Sequence, residues 1–313
     1  MVEAAGVRVA WADLPGNVRA AVDEVLGSPV VEAVSQRGGF SPGSADRVVT
    51  ADGRRAFVKA VGSTLNPTSP GLHRREIAVS AAMPASPAVP ALLGSHDDGD
   101  WVALVLSDVE GRHPRLPWEP RELEAVRTAL GSVGEVSMTD GLALLPETGA
   151  GFAEDFAGWR RLREDPAPAL DPWAERHLDR LAAAADRGET ALAGDQLVHG
   201  DVRADNLLVT PDGSVVVVDW PWATRGAAWF DRLALLVNVG LNDADAPLDE
   251  LLPAWLPDVP ADDVDAVLAG LAAYFVDIAR RPDPPGLPTV RAFQRAQGEV
   301  VLGWLRRRWV DAR

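Results

Sequence analysis

The chain has no cysteine, which removes disulfides and thiolate metal sites at once. Lysine is almost missing: of 30 basic residues, 29 are arginine and one, Lys59, is lysine. No apolar run reaches the roughly 18 residues that a membrane-spanning helix requires. The first residues, MVEAAGVRVAWADLPG, lack the basic start and apolar stretch of a secretory signal. A cytoplasmic protein with no membrane partner is therefore expected. Positive charge is scarce overall: 46 acidic residues give a formal net charge of −16, most of the excess lying beyond residue 106. Such a surface repels phosphate backbones, so no nucleic-acid partner is expected. The same field would draw in a cationic small molecule. The five histidines show no metal-binding spacing.

What is present suits two lobes, since 313 residues with 47% apolar content exceed one comfortable core. Residues 1–106 read as a small α+β lobe. A helix over 17–26 ends at Gly27, and valine-rich strands follow at 30–35, 47–51 and 56–61. Asp52-Gly53 is a hairpin signal between the last two. Ser69-Pro70 marks a helix start, with serine as N-cap and proline at the first position. That helix stops before Pro84, and strands at 91–95 and 101–107 complete the lobe. Residues 107–313 read as mostly helical, over 120–132, 154–162, 171–187, 227–241, 248–255, 261–280 and 287–309. A hinge is expected near 104–111. The only strand pair expected in this half flanks Pro211-Asp212-Gly213.

That strand pair carries the chemistry. LVHGDVRADNLLV (197–209) and VVVVDW (215–220) set Asp201 in a tight turn after Gly200, Asn206 at the entry to one strand and Asp219 at the end of the other. The turn between the strands brings both strand ends to one place. Two hard oxygen ligands there can hold Mg²⁺, and a third carboxylate can meet a hydroxyl and take its proton. Phosphoryl transfer from ATP to an alcohol needs this equipment. The spacing also matches the protein-kinase catalytic loop. Arg203 could touch the transferred phosphate or pair with a loop carboxylate.

The pattern HGDxxxxN followed by a DW-type aspartate resembles the aminoglycoside phosphotransferase and choline kinase group. The resemblance runs from residue 30 to the C-terminus. It implies an α+β, bilobal protein-kinase-like fold, with a small N-lobe of antiparallel sheet and helix and a larger, mostly helical C-lobe. It implies Asp201 as catalytic base and Asn206 and Asp219 as Mg²⁺ ligands. It also implies His199 packed beneath the loop and Asp231 bonded to the loop backbone. Lys59, in AFVKAV, matches the family lysine that contacts ATP phosphates. Glu76 matches its partner, with Arg74 and Arg75 as alternative neighbours. A lone lysine in an arginine-rich chain supports this, because a slim ammonium fits where a wide guanidinium does not. The loop GGFSPG (38–43) departs from the kinase pattern, yet its amides and Ser41, with Gly39, could cradle phosphates. Leu106 and Asp108 are placed by position at the adenine. The acceptor would be a small-molecule hydroxyl compound: an aminoglycoside, sugar, amino alcohol or macrolide. Glu154, Asp155, Asp243 and Asp245 are acids that could meet a cationic acceptor, none of them in a matched motif. Trp220 and Trp222 could wall the site. The alternative is a nucleotide-binding regulatory pseudokinase without turnover. A protein kinase is disfavoured by the missing DFG and APE segments.

Overall fold

The computed structural model describes residues 8–36, 42–166, 170–285 and 287–311. In the N-lobe, helix α1 (Gly16–Leu26) buries Val18, Val22 and Leu26 along one stripe and ends at Gly27, whose φ is +70°. Strands β1 (Val30–Ser35), β2 (Ser44–Thr50), β3 (Arg55–Gly62), β4 (Leu92–Asp97) and β5 (Trp101–Ser107) form one antiparallel sheet in the order β1-β2-β3-β5-β4. Alternation along β3 divides its side chains between two faces. Ala56 and Val58 pack with Val22 and Leu26 under α1, while Phe57 and Lys59 face the cleft between the lobes. Helix α2 (Ser69–Ala82) lies beside β3 and β5. Ser69 is its first helical residue rather than its cap. Asn66 Oδ1 takes the capping role, accepting from Thr68 N at 2.9 Å and Ser69 N at 3.1 Å.

The C-lobe contains α3 (Pro120–Gly134), α4 (Thr148–Phe156), α5 (Gly158–Glu164), α6 (Pro172–Arg176) and α7 (Leu178–Ala191). It continues with α8 (Trp229–Asn242), α9 (Leu248–Trp255), α10 (Ala261–Ile278) and α11 (Val290–Asp311). Two helices expected as single pieces are each broken. The 154–162 segment spans the junction of α4 and α5, where Gly158 lets α5 press on α10: a Cβ there would sit 2.8 Å from the Ala273 carbonyl carbon. The 171–187 segment breaks at His177 between α6 and α7. Its start is as read, with Asp171 accepting from Trp173 N and Ala174 N.

The short strands also differ from expectation. β7 (Leu207–Val209) and β8 (Val215–Val217) form the anticipated hairpin, but β6 (Gln196–Val198) pairs with β9 (Thr224–Gly226) as a second two-stranded sheet. Three-residue strands carry no periodicity, so the sequence hides them. The chain leaving β5 runs antiparallel to β7, with Arg112 N on Val209 O at 3.0 Å and the reciprocal bond at 2.7 Å. That pairing sets the connector between the lobes against the β7–β8 hairpin.

Asp277 anchors α10. It is 1% exposed and bonds Arg161 on α5 at 2.8 Å, Arg280 at 2.8 Å and Arg281 at 3.0 Å. Burial alone would raise its pKa, but the three guanidinium groups outweigh it and hold the carboxyl below the usual range. Its stabilising contribution is thus present at neutral pH and is lost only as pH falls through the lowered pKa. Asp277→Ala should lower unfolding free energy by about 3 kcal/mol, the scale for breaking a buried ion pair, as read by urea denaturation at pH 7. The loss should shrink in strong acid.

Candidate active site

The loop that carries His199, Asp201 and Asn206 is held from beneath by α8. Asp231, at the start of that helix, accepts from His199 N at 2.7 Å and Gly200 N at 3.0 Å. Seven residues on, and so on the same helix face, Asn238 Oδ1 accepts from Ala204 N at 3.3 Å. His199 is fully buried, with Nε2 at 2.9 Å from Val218 O and Nδ1 accepting from Asp201 N at 3.2 Å. Burial pushes its pKa down, so the neutral ring donates from Nε2 and accepts at Nδ1. Gly200 has φ +83°, and a Cβ there would come within 2.6 Å of the Trp222 carbonyl oxygen. Only glycine fits between His199 and Asp201.

Above that base sit two linked charge clusters. Arg203 Nη1 lies 2.5 and 2.6 Å from the two Asp201 oxygens, and its Nε lies 2.9 Å from Asp205 Oδ1. Burial pushes Asp201 up to about 6 against the pull of Arg203. Asn206 Nδ2 donates to Asp201 O at 2.8 Å, leaving its Oδ1 without a partner among the described residues. Val218 N donates to Asn206 O at 3.0 Å, which draws Asn206 and Asp219 together. Asp219 has φ +70°, the one non-glycine described residue with positive φ. That turn off the end of β8 costs about 1 kcal/mol and presents the carboxylate to the N-lobe.

There it meets Lys59. Nζ lies 2.6 Å from Asp219 Oδ1 and 2.8 and 2.9 Å from the Glu76 oxygens. Trp220 N also reaches Glu76 Oε1, at 3.4 Å. Burial opposes charge on all three groups. The ammonium nonetheless holds Asp219 down to about 2, and the two carboxylates keep Lys59 raised. Glu76 stays raised because burial dominates there. Arg74 and Arg75 lie elsewhere: Arg74 pairs with Asp97 at 2.7 Å, and Arg75 lies 5.5 Å from the Trp222 ring.

Two cavities flank these clusters. The smaller, about 170 Å³, lies between the lobes, with Phe57 and Leu106 on one side and Leu208 and Val218 on the other. Lys59, Asn206 and Asp219 stand along it. Asp108 also lines it, with its carboxylate held by Arg47 at 2.7 and 2.8 Å and by Arg55 at 2.8 Å. The larger, about 490 Å³, is lined by α2, α4, α8, α10 and α11 and by Asp201. Both reach Asp219 and Pro42. Gly39 and Ser41 lie outside the described residues.

The model of the phosphotransferase enzyme family matches residues 43–264. The chain belongs to that family. Among curated proteins, no sequence matches this phosphotransferase. Solved structures share its fold at low identity. An aminoglycoside phosphotransferase from Alicyclobacillus acidocaldarius is 19% identical, with TM-score 0.56 over 89% of this chain and 92% of that one. A thermostable mutant of aminoglycoside phosphotransferase APH(4)-Ia, bound to ADP and hygromycin B, is 14% identical, with TM-score 0.61 over 93% and 98%. Choline kinase LicA from Streptococcus pneumoniae is also 14% identical, with TM-score 0.61 over 92% and 98%. Among the described residues, no helix is long and apolar enough to cross a membrane.

The phosphotransferase thus gathers Lys59, Glu76, Asp201, Arg203, Asn206 and Asp219 at one place, and Leu106 and Asp108 line the smaller cavity. Of the four unassigned acids, Asp155 lines the larger cavity, while Glu154, Asp243 and Asp245 are not among its walls. Trp220 is buried, its ring edge-on to His199 at 4.6 Å; Trp222 is 45% exposed and borders the larger cavity. Asn238 escaped the sequence reading. Its signal was a polar residue on the apolar face of α8, in register with Asp231. Asp231→Ala would strand the His199 and Gly200 amides and should destabilise the protein by on the order of 3 kcal/mol, measured by chemical denaturation. An unchanged midpoint would contradict the anchoring role.

Proposed function

We propose that the protein transfers the γ-phosphoryl group of ATP, with Mg²⁺, to a hydroxyl of a small molecule. One observation carries this reading: the two cavities meet at Asp219, and Asp201 stands on the acceptor side of the junction. The smaller cavity has room for a purine against Phe57, Leu106, Leu208 and Val218, with Lys59 and Asp219 in the same lining for the phosphates. Leu106 would contact the base through its side chain. Asp108 and Val109, which follow β5 out of the sheet, would offer backbone groups to its edge.

The donor set fits a magnesium ion. Asn206 Oδ1 is unspent, and Asp219 has one oxygen not engaged by Lys59. Among the described residues, no group of three acids or histidines could hold a metal alone. A small hard cation with two protein oxygens takes its remaining ligands from phosphates and water. When bound, Mg²⁺ and ATP supply the transferable group and neutralise its charge. The chain's own residues do the rest. Glu76 fixes Lys59, whose ammonium steadies the phosphates. Asp201 would orient the incoming hydroxyl and accept its proton as the new oxygen–phosphorus bond forms and the bond from the γ-phosphorus to ADP breaks. Arg203, held by Asp205 as well as Asp201, would keep its position if Asp201 engaged the acceptor and could then steady the transferred group. Exclusion of water by lobe closure would suppress ATP hydrolysis.

Asp201→Asn should lower phosphoryl transfer by at least about 100-fold, the scale of general-base catalysis, with nucleotide binding retained. Retained transfer would remove Asp201 as the base. Nucleotide binding with no Asp201-dependent turnover would favour the regulatory reading.

A further inference from the structure

The 490 Å³ cavity is of a size that takes a drug-like molecule, and its walls say which kind; this inference rests on the transfer reaction proposed above. Most of the lining is apolar. Phe152 on α4, Phe230 on α8, Leu271 and Phe275 on α10 and Phe293 on α11 all face it. The acids are few: Asp155, Asp201 and Asp219, with no glutamate. Two of these are already engaged, Asp201 by Arg203 and Asp219 by Lys59. Asp155 is the exception: among the described residues its carboxylate makes no hydrogen bond or ion pair within 4 Å, and Arg161 and Arg281, both already bonded to Asp277, act on it only from a distance. Two cations, Arg75 and Arg203, share the same walls. A molecule with several ammonium groups would find one free carboxylate, two like charges and much apolar surface. Desolvating its remaining charges would go uncompensated.

A second polar group stands near Asp155. Tyr274, the only tyrosine in the chain, lines the cavity and accepts a hydrogen bond from Gln294 Nε2 at 3.1 Å. Its own proton is left to donate. Burial, reinforced by Asp155 and Asp201, pushes its pKa up to about 12, so it stays a donor. The phenol lies within electrostatic range of both the unpaired acid and the catalytic base.

We propose that the acceptor is an alcohol with a largely apolar body and a single amine, its ammonium on Asp155 and its reacting hydroxyl at Asp201. A polycationic amino sugar is a poor fit. Asp155 selects the acceptor; Tyr274 orients it.

The test compares two probes with the full-length protein: erythromycin, a largely apolar ring with one amine, and kanamycin, a polar sugar with several. Phosphate transfer is measured with Mg-ATP, and binding by calorimetry with a non-hydrolysable ATP analogue. Erythromycin should show kcat/KM at least about 100-fold above kanamycin, reflecting the uncompensated ammonium groups of the latter. Asp155→Asn should raise the erythromycin KM by about ten- to a hundredfold, the span of a charge-assisted hydrogen bond, with the ATP KM held. Preference for kanamycin, an Asp155→Asn effect falling on ATP, or binding of neither probe would overturn the proposal. Binding of erythromycin with this preference but without phosphate transfer would support the pocket assignment and count against the transfer reaction itself.

Discussion

The site depends on one shared ammonium. Lys59 comes from a central strand of the N-lobe, Glu76 from the helix beside it and Asp219 from the end of a C-lobe hairpin. A single Nζ within 2.9 Å of all three carboxylate oxygens ties those elements together across the cleft. Two buried carboxylates against one cation leave a negative excess. The neighbouring cluster repeats the arrangement, with Arg203 shared by Asp201 and Asp205. Buried charge without compensation is costly. Two clusters of this kind on either side of Asn206 therefore make the junction a favourable place for a divalent cation. The acids that would hold the metal and take the proton are kept in position meanwhile by their own arginine and lysine.

Legibility in the sequence followed the span of chain each feature uses. The catalytic loop was readable because His199, Asp201, Asn206 and Asp219 lie within one hairpin, so spacing alone conveys their geometry. Lys59 was readable because its residue type is an exception in this chain. Glu76 then followed from the helix after the strand. The acceptor cavity was not readable. Its walls come from five helices far apart in sequence, α2, α4, α8, α10 and α11, and each contributes apolar residues that look like ordinary core. Asp155 was indistinguishable in sequence from Glu154, Asp243 and Asp245, and only the packing of α4 separates it from them. The second sheet, β6 with β9, was hidden because strands of three residues have too few side chains to alternate.

The net charge illustrates a related point. A formal charge of −16 suggested a cationic acceptor. That excess already counts every arginine, so it lies on acids other than Asp108, Asp277 and Asp97, which meet two, three and one arginines respectively. The surface field can still attract cations over distance. The larger cavity, proposed to take the acceptor, is mostly apolar, and Asp155 is its one acid without a hydrogen bond or ion pair among the described residues. Long-range attraction and contact specificity are set by different residues here.

The central claim, that a compact ammonium shared between two carboxylates organises the site, is tested most directly by Lys59→Arg. The substitution keeps the charge in a chain that otherwise uses arginine throughout. A wide planar guanidinium cannot occupy the position of Nζ between Glu76, Asp219 and the phosphates. Steady-state kinetics of the variant should show kcat/KM for ATP reduced by at least about tenfold, or about 1.4 kcal/mol, with the fold intact by circular dichroism. Wild-type kinetics in Lys59→Arg would contradict the account.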